Sequence, residues 1–192
     1  MEPPRPDPPS PPPAGPRAPG GPAFAGETGG AEPPASSHLE AGGRRSRMVD
    51  VGEKRESARV AEARAFVRFP NGILARVLEG GGPKGPIEEV ARTAGILAAK
   101  RTAELIPLCH PLGLDHVEIR FVPAAGERLE IRCRAACTAR TGVEMEAMVG
   151  ASVAALTVYD MTKSLDHGIA IERIELVEKR GGKSGTWRAA GE

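Results

Sequence analysis

The chain has 192 residues, 40% of them hydrophobic, and a formal net charge of +1, enough for one core of ordinary size. With 3% aromatic residues and a single Trp and Tyr, it offers neither a basic footprint nor a stacking platform, so nucleic acid is a poor partner. No apolar run near Met1 is long enough for a secretory signal and no span long enough to cross a bilayer, which points to a cytoplasmic protein and excludes a membrane partner.

Thirteen of the 19 prolines precede residue 40, in runs such as Pro11-Pro12-Pro13 and Pro33-Pro34. Such a segment cannot bury enough apolar side chain to offset its ordering entropy, so residues 1–37 are expected to be disordered and residues 38–192 to form the domain. Met48 is an alternative start. The three cysteines suit free thiols in a reducing compartment.

Ala63 to Phe69 alternates as a strand, closed by the Pro70-Asn71-Gly72 turn. A short helix is expected over Ile73–Leu78, then a Gly/Pro loop over 80–86 that carries Lys84. The spacing Ile87, Val90, Ala94, Leu97, Ala98 and Leu105 predicts one helix over 87–105, ended by Pro107. Val117, Ile119 and Phe121, then Leu129, Ile131 and Cys133, predict a hairpin turning at 124–127. The stretch 143–165 is apolar all round and should be a largely buried helix. Ile171, Ile174 and Leu176 lead into a last strand ending near Lys179. The order predicts an α+β fold: a ferredoxin-like βαββαβ sandwich with an additional helix and an antiparallel sheet. That fold hosts many functions, so the chemistry must be argued from sites.

Asp160 and Lys163 stand three residues apart on one helix face. The pair is either a structural ion bridge or an acid/base pair; its place in an otherwise apolar helix favours function. Pro107 and Pro111 stiffen the loop Leu108-Cys109-His110, which presents an imidazole suited to proton transfer or to a structural hydrogen bond. Cys109, Cys133 and Cys137 invite a zinc reading, but Cys133 and Cys137 share one strand face and read as small core residues, so no metal ligand set is assigned.

Glu144 and Glu146 flank Met145 at a helix start, where carboxylates suit the dipole. Glu146 and Asp160 lie about 21 Å apart along a regular helix, so if both are functional the site includes residues from a second chain. Lys179-Arg180-Gly181-Gly182-Lys183-Ser184-Gly185 lacks the first glycine of a P-loop, with Val177 in its place, but remains a cationic glycine-rich segment able to meet phosphate. With Lys84 and Lys100-Arg101, it suggests a phosphate-rich ligand.

The stretches Met48–Val51, Ala94–Thr102, Leu105–Leu112, Thr141–Ala147, Ala154–Lys163 and Gly181–Gly185 together resemble the cyclic pyranopterin monophosphate synthase family of molybdenum cofactor biosynthesis. The resemblance runs from about residue 38 to the C-terminus and leaves out the proline-rich tail. It implies a lyase that converts 3′,8-cyclo-7,8-dihydroguanosine 5′-triphosphate to cyclic pyranopterin monophosphate and diphosphate. It also implies Asp160 as catalytic acid/base with Lys163 as its partner, and Leu108, Cys109, His110, Met145 and Glu146 as substrate contacts. Lys84, Glu144 and Lys179 match further site positions, and Arg59 and Lys183 would help hold the triphosphate. No redox cofactor is implied, Mg²⁺ could accompany the triphosphate, and the family's hexamers, trimers of dimers, place the site between subunits. The rival readings are a non-catalytic nucleotide-phosphate-binding regulatory module and a zinc-binding interaction domain.

Overall fold

The computed structural model describes residues 46–190 except 71, 81 and 184; the expected disordered tail, residues 38–45 and Ser184 lie outside the described residues. β1 (Ser57–Arg68), β2 (His116–Ala124), β3 (Arg128–Ala139), β4 (Ala170–Arg180) and β5 (Trp187–Arg188) form one sheet in the order β2-β3-β1-β4-β5. Every pairing is antiparallel. The helices are α1 (Ile73–Gly80), α2 (Ile87–Ala99), α3 (Thr102–Leu105) and α4 (Glu144–Thr162). The first four strands and the two long helices reproduce the expected ferredoxin-like order.

One face of the sheet is the core. Ala61, Ala63, Ala65 and Val67 on β1, and Leu129, Ile131, Cys133, Ala135 and Cys137 on β3, alternate into it and are buried, as the period of two requires. Burial pushes the Cys133 thiol up to about 12 and that of Cys137 also upward, away from the thiolate that zinc requires. Helices α2 and α4 cover this face and cross closely. A Cβ on Gly95 would stand 2.7 Å from the Gly150 carbonyl oxygen and 3.1 Å from Ala154 Cβ, so the backbones can approach only because these residues are small. The opposite face carries a lattice of charges: Arg64 pairs with Glu175 at 2.7 Å and Arg132 with Glu130 at 2.9 Å, while Glu172 takes Arg68 at 2.7 Å and Arg128 at 2.6 Å.

Two expectations are corrected. The single helix over 87–105 is broken at Lys100-Arg101, because Thr102 is buried and its hydroxyl donates to the Ala99 carbonyl at 3.0 Å. That bond draws the chain into the separate turn of α3. The first strand begins at Ser57, six residues before the expected start, because Arg59 and its neighbours pair along β3 and β4. The two-residue β5 on the edge of β4 was not expected from the sequence.

The antiparallel register decides where the chemistry gathers. The start of β1 lies beside the ends of β3 and β4, with Ser57 opposite Ala139 and Ala61 opposite Lys179. Helix α4 begins at that same edge and runs to the other, where β1 ends and the loop carrying Lys84 begins.

Candidate active site

At the first edge lies a cleft of about 910 Å³. It is walled by the segment before β1, the start of β1, the turn into α4 and the glycine-rich segment after β4. Lys54, Arg55, Arg59, Arg140, Lys179, Arg180 and Lys183 line it, against Glu53, Glu56 and Glu144. Seven cations facing three carboxylates raise the local concentration of polyanions. Glu144, in the first turn of α4, pairs with Lys179 at 3.1 Å. Arg59 runs beneath Gly181 and Gly182, whose φ values of 102° and 74° are left-handed. A Cβ on Gly182 would displace the Arg59 guanidinium, and the left-handed φ there favours glycine as well. Among the described residues, Arg59 Nε is buried without a hydrogen-bond partner, which leaves one donor of its guanidinium unmet.

Next along α4, Glu146 is 3% exposed and borders a small cavity of about 110 Å³ with Lys100, Arg101 and Pro111. Burial pushes its carboxyl pKa up, and the neighbouring Glu144 charge adds to the rise. The Cys109 thiol is likewise pushed up, by burial first and then by Glu146, so it is a protonated donor at neutral pH. His110 Nε2 lies 2.7 Å from the Val49 carbonyl oxygen. A carbonyl can only accept, so Nε2 carries the proton and Nδ1 is left for other partners.

At the far edge, Asp160 is clamped by two ammonium groups, Lys163 Nζ at 2.7 Å from Oδ1 and Lys84 Nζ at 2.8 Å from Oδ2. These contacts, with Lys163 first, hold its carboxyl down to about 2, and the carboxylate in turn raises Lys163. The clamp is solvent-exposed, and Asp160 retains 54% of its side-chain surface. Its place in an apolar helix therefore does not mean burial within one chain.

Arg59, Glu144, Lys179 and Lys183 thus share the cleft, and Cys109 stands near Glu146. Met145 is in the first turn of α4, and Leu108 is in the loop before His110. Lys84, Asp160 and Lys163 stand apart: sixteen residues of regular helix separate Glu144 from Asp160, about 24 Å. Lys54, Arg55 and Arg140 had not been singled out in the sequence. The adjacent cations Lys54-Arg55, separated from Met48–Val51 by two residues, are the signal that could have found this segment.

Among the described residues no three His, Cys, Asp or Glu side chains converge as metal ligands, and no helix is long and apolar enough to cross a membrane.

Comparison with known proteins adds to this geometry. The pattern of the MoaC family matches residues 48–182. A cyclic pyranopterin monophosphate synthase of Novosphingobium aromaticivorans is 54% identical over 154 residues, covering 80% of this chain and 97% of the relative. Synthases of the same name from Chloroflexus aggregans, 54% identical, and Thermomicrobium roseum, 55% identical, each align over 153 residues, 79% of this chain and 92% of the relative. The match begins just before the cleft's first wall and ends within its glycine-rich wall, so it contains both edges of the site, and the chain belongs to the MoaC family.

Proposed function

We propose that this protein is a lyase that converts 3′,8-cyclo-7,8-dihydroguanosine 5′-triphosphate to cyclic pyranopterin monophosphate with release of diphosphate, an early step of molybdenum cofactor biosynthesis. The observation that carries the proposal is the clamp of Lys84 and Lys163 on Asp160, in a chain whose relatives bear that activity by name. An ionised carboxylate accepts protons, and the two ammonium groups beside it can return them or steady negative charge as it develops. The reaction rearranges a reduced purine ring and closes a cyclic phosphate, so it needs both. Departing diphosphate calls for cations, which Arg59, Lys179 and Lys183 supply in the cleft. His110, through its free Nδ1, and the protonated Cys109 contact the ring portion of the substrate, with Leu108, Met145, Glu144 and Glu146 completing the pocket. The chemistry is proton transfer and phosphoryl displacement and needs no redox cofactor; Mg²⁺, if bound, would ride on the triphosphate.

The functional unit is an assembly, a hexamer built as a trimer of dimers. The support is geometric. Residues 144 and 160 are too far apart on one α4 to hold one small substrate. A two-fold axis through the middle of the helix, near Ser152, would set Asp160 of one copy beside Glu144 of the other. The stripe of α4 between them carries Met145, Met148, Ser152 and Leu156; Leu156 is 56% exposed, and Leu97 and Val90 of α2 are exposed as well. An apolar stripe between two halves of a site fits a second copy of this chain. We place the protein in the cytoplasm, where its three free thiols would stay reduced.

The test is diphosphate release and pterin formation from the purified cyclic nucleotide triphosphate, by the wild type, Asp160→Asn and Lys163→Ala. Turnover that collapses in both variants while substrate still binds is the expected result. Binding without turnover in all three would leave the regulatory-module reading instead.

A further inference from the structure

The segment before β1 has little regular structure, yet it is tied down at two points by groups from elsewhere in the fold. His110 Nε2 donates to the Val49 carbonyl at 2.7 Å, and Arg140 Nη1 donates to the Gly52 carbonyl at 3.1 Å. Between them, Gly52 N–H donates to Asp50 Oδ1 at 2.8 Å and Lys54 N–H to the Val51 carbonyl at 3.1 Å, which folds the segment into a tight turn. Arg140 Nε also approaches Glu56 Oε1 at 3.6 Å. Arg140 therefore grips the segment on both sides of Lys54 and Arg55, the two cations it contributes to the cleft.

We propose that Arg140 is a positioning residue: it holds residues 52–56 as one wall of the cationic cleft, so that Lys54 and Arg55 meet the phosphate chain of the substrate. This deepens the synthase reading and rests on it for the identity of the polyanion. Among the described residues no hydrogen bond or ion pair holds the Lys54 or Arg55 side chain; the backbone that carries them is fixed from outside by a planar guanidinium able to serve two acceptors at once. A lysine at 140 keeps the charge but lacks the planar fork that reaches the two acceptors from separate nitrogens. An ordered wall lowers the cost of binding, which appears in KM, and leaves the proton transfers at Asp160 untouched.

The experiment pairs kinetics with trypsin cleavage of the full chain after Lys54 and Arg55, read by mass spectrometry with and without diphosphate. In the wild type, diphosphate should slow those cuts about tenfold, and Arg140→Ala should abolish that protection. The same variant should raise KM for the cyclic triphosphate about tenfold with kcat within about twofold, and Arg140→Lys should recover part of both effects. Protection that persists in Arg140→Ala would overturn the proposal, and with a raised KM it would make Arg140 a direct phosphate contact instead. Absence of protection in the wild type would overturn it as well. Protection in the wild type without any turnover would support the wall while sinking the synthase reading, so the two failures are distinguishable.

Discussion

Asp160 owes its charge state to two neighbours, and each can be removed separately. With its carboxyl held to about 2, chiefly by Lys163 and then by Lys84, it is ionised throughout the neutral range. The stabilisation it lends is present above the ordinary carboxylate pKa and is lost as pH falls through about 2. Because the clamp is exposed, its effect on stability is small and its effect on proton affinity is the useful readout. Lys84→Ala should move the Asp160 carboxyl titration upward, followed by carbon NMR of labelled aspartate; an unmoved titration would show that Lys84 does not reach Asp160 in solution. Glu146 presents the opposite sign. Burial raises its carboxyl, so its contribution to stability is fully present below the ordinary glutamate pKa and is lost as pH rises through the raised value. Glu146→Gln should therefore gain thermal stability relative to the wild type as pH goes from about 4 to 8, measured as melting temperature against pH. A constant difference between the two would mean that the Glu146 carboxyl is not raised in the folded protein. At this scale the sequence was partly legible. The residue types and the i,i+3 spacing of Asp160 and Lys163 could be read directly, whereas the partnership with Lys84 joins positions 76 apart and exists only once the loop is folded back.

The crossing of α2 and α4 depends on small residues. Gly95 and Gly150 face each other where an added methyl on Gly95 would press on backbone oxygen, and backbone cannot step aside as a long side chain can. Gly95→Ala should gain about 1 kcal/mol in helix propensity but lose about 1–3 kcal/mol to overpacking. The expected outcome is a net loss of stability, seen as a lower urea midpoint at unchanged slope; a raised midpoint would mean that the helices separate without cost. The helices, the hairpin and the fold order were legible because apolar periodicity is a local signal. What escaped depended on burial or on distant partners. The helix break at Lys100-Arg101 follows from a hydroxyl bond made by buried Thr102, and nothing in the local spacing marks Thr102 as buried. The early start of β1 follows from pairing with strands more than 60 residues away, across a stretch rich in Arg, Glu and Ser that resembles loop composition. The same extension of β1 carries Arg59 into the cleft.

For the whole molecule, one chain carries the two halves of the proposed site, the clamp on Asp160 and the cationic cleft, at opposite ends of α4. The distance could be anticipated from the sequence as a count of helical residues, and the structure adds that both halves open to solvent and that an apolar stripe with exposed Leu156 lies between them. Two arrangements are then distinguishable by mixing variants. Take Asp160→Asn, which disables the clamp, and Lys179→Ala, which disables the cleft, each inactive alone. If Asp160 of one copy works with Lys179 of another, random reassociation of equal amounts makes half of the pairs mixed. Each mixed pair has one doubly damaged site and one site with both residues native, so about a quarter of wild-type activity should return. If each site lies within one chain, every site keeps its own lesion and no activity returns at any mixing ratio. Leu156→Asp supplies the complementary control: a charge in the middle of the stripe should dissociate the assembly, seen by light scattering, and abolish turnover while the circular dichroism of the fold persists. A dissociated but fully active Leu156→Asp chain would contradict a shared site as directly as a failed mixing experiment, because it would require a single α4 to bring residues about 24 Å apart to one substrate.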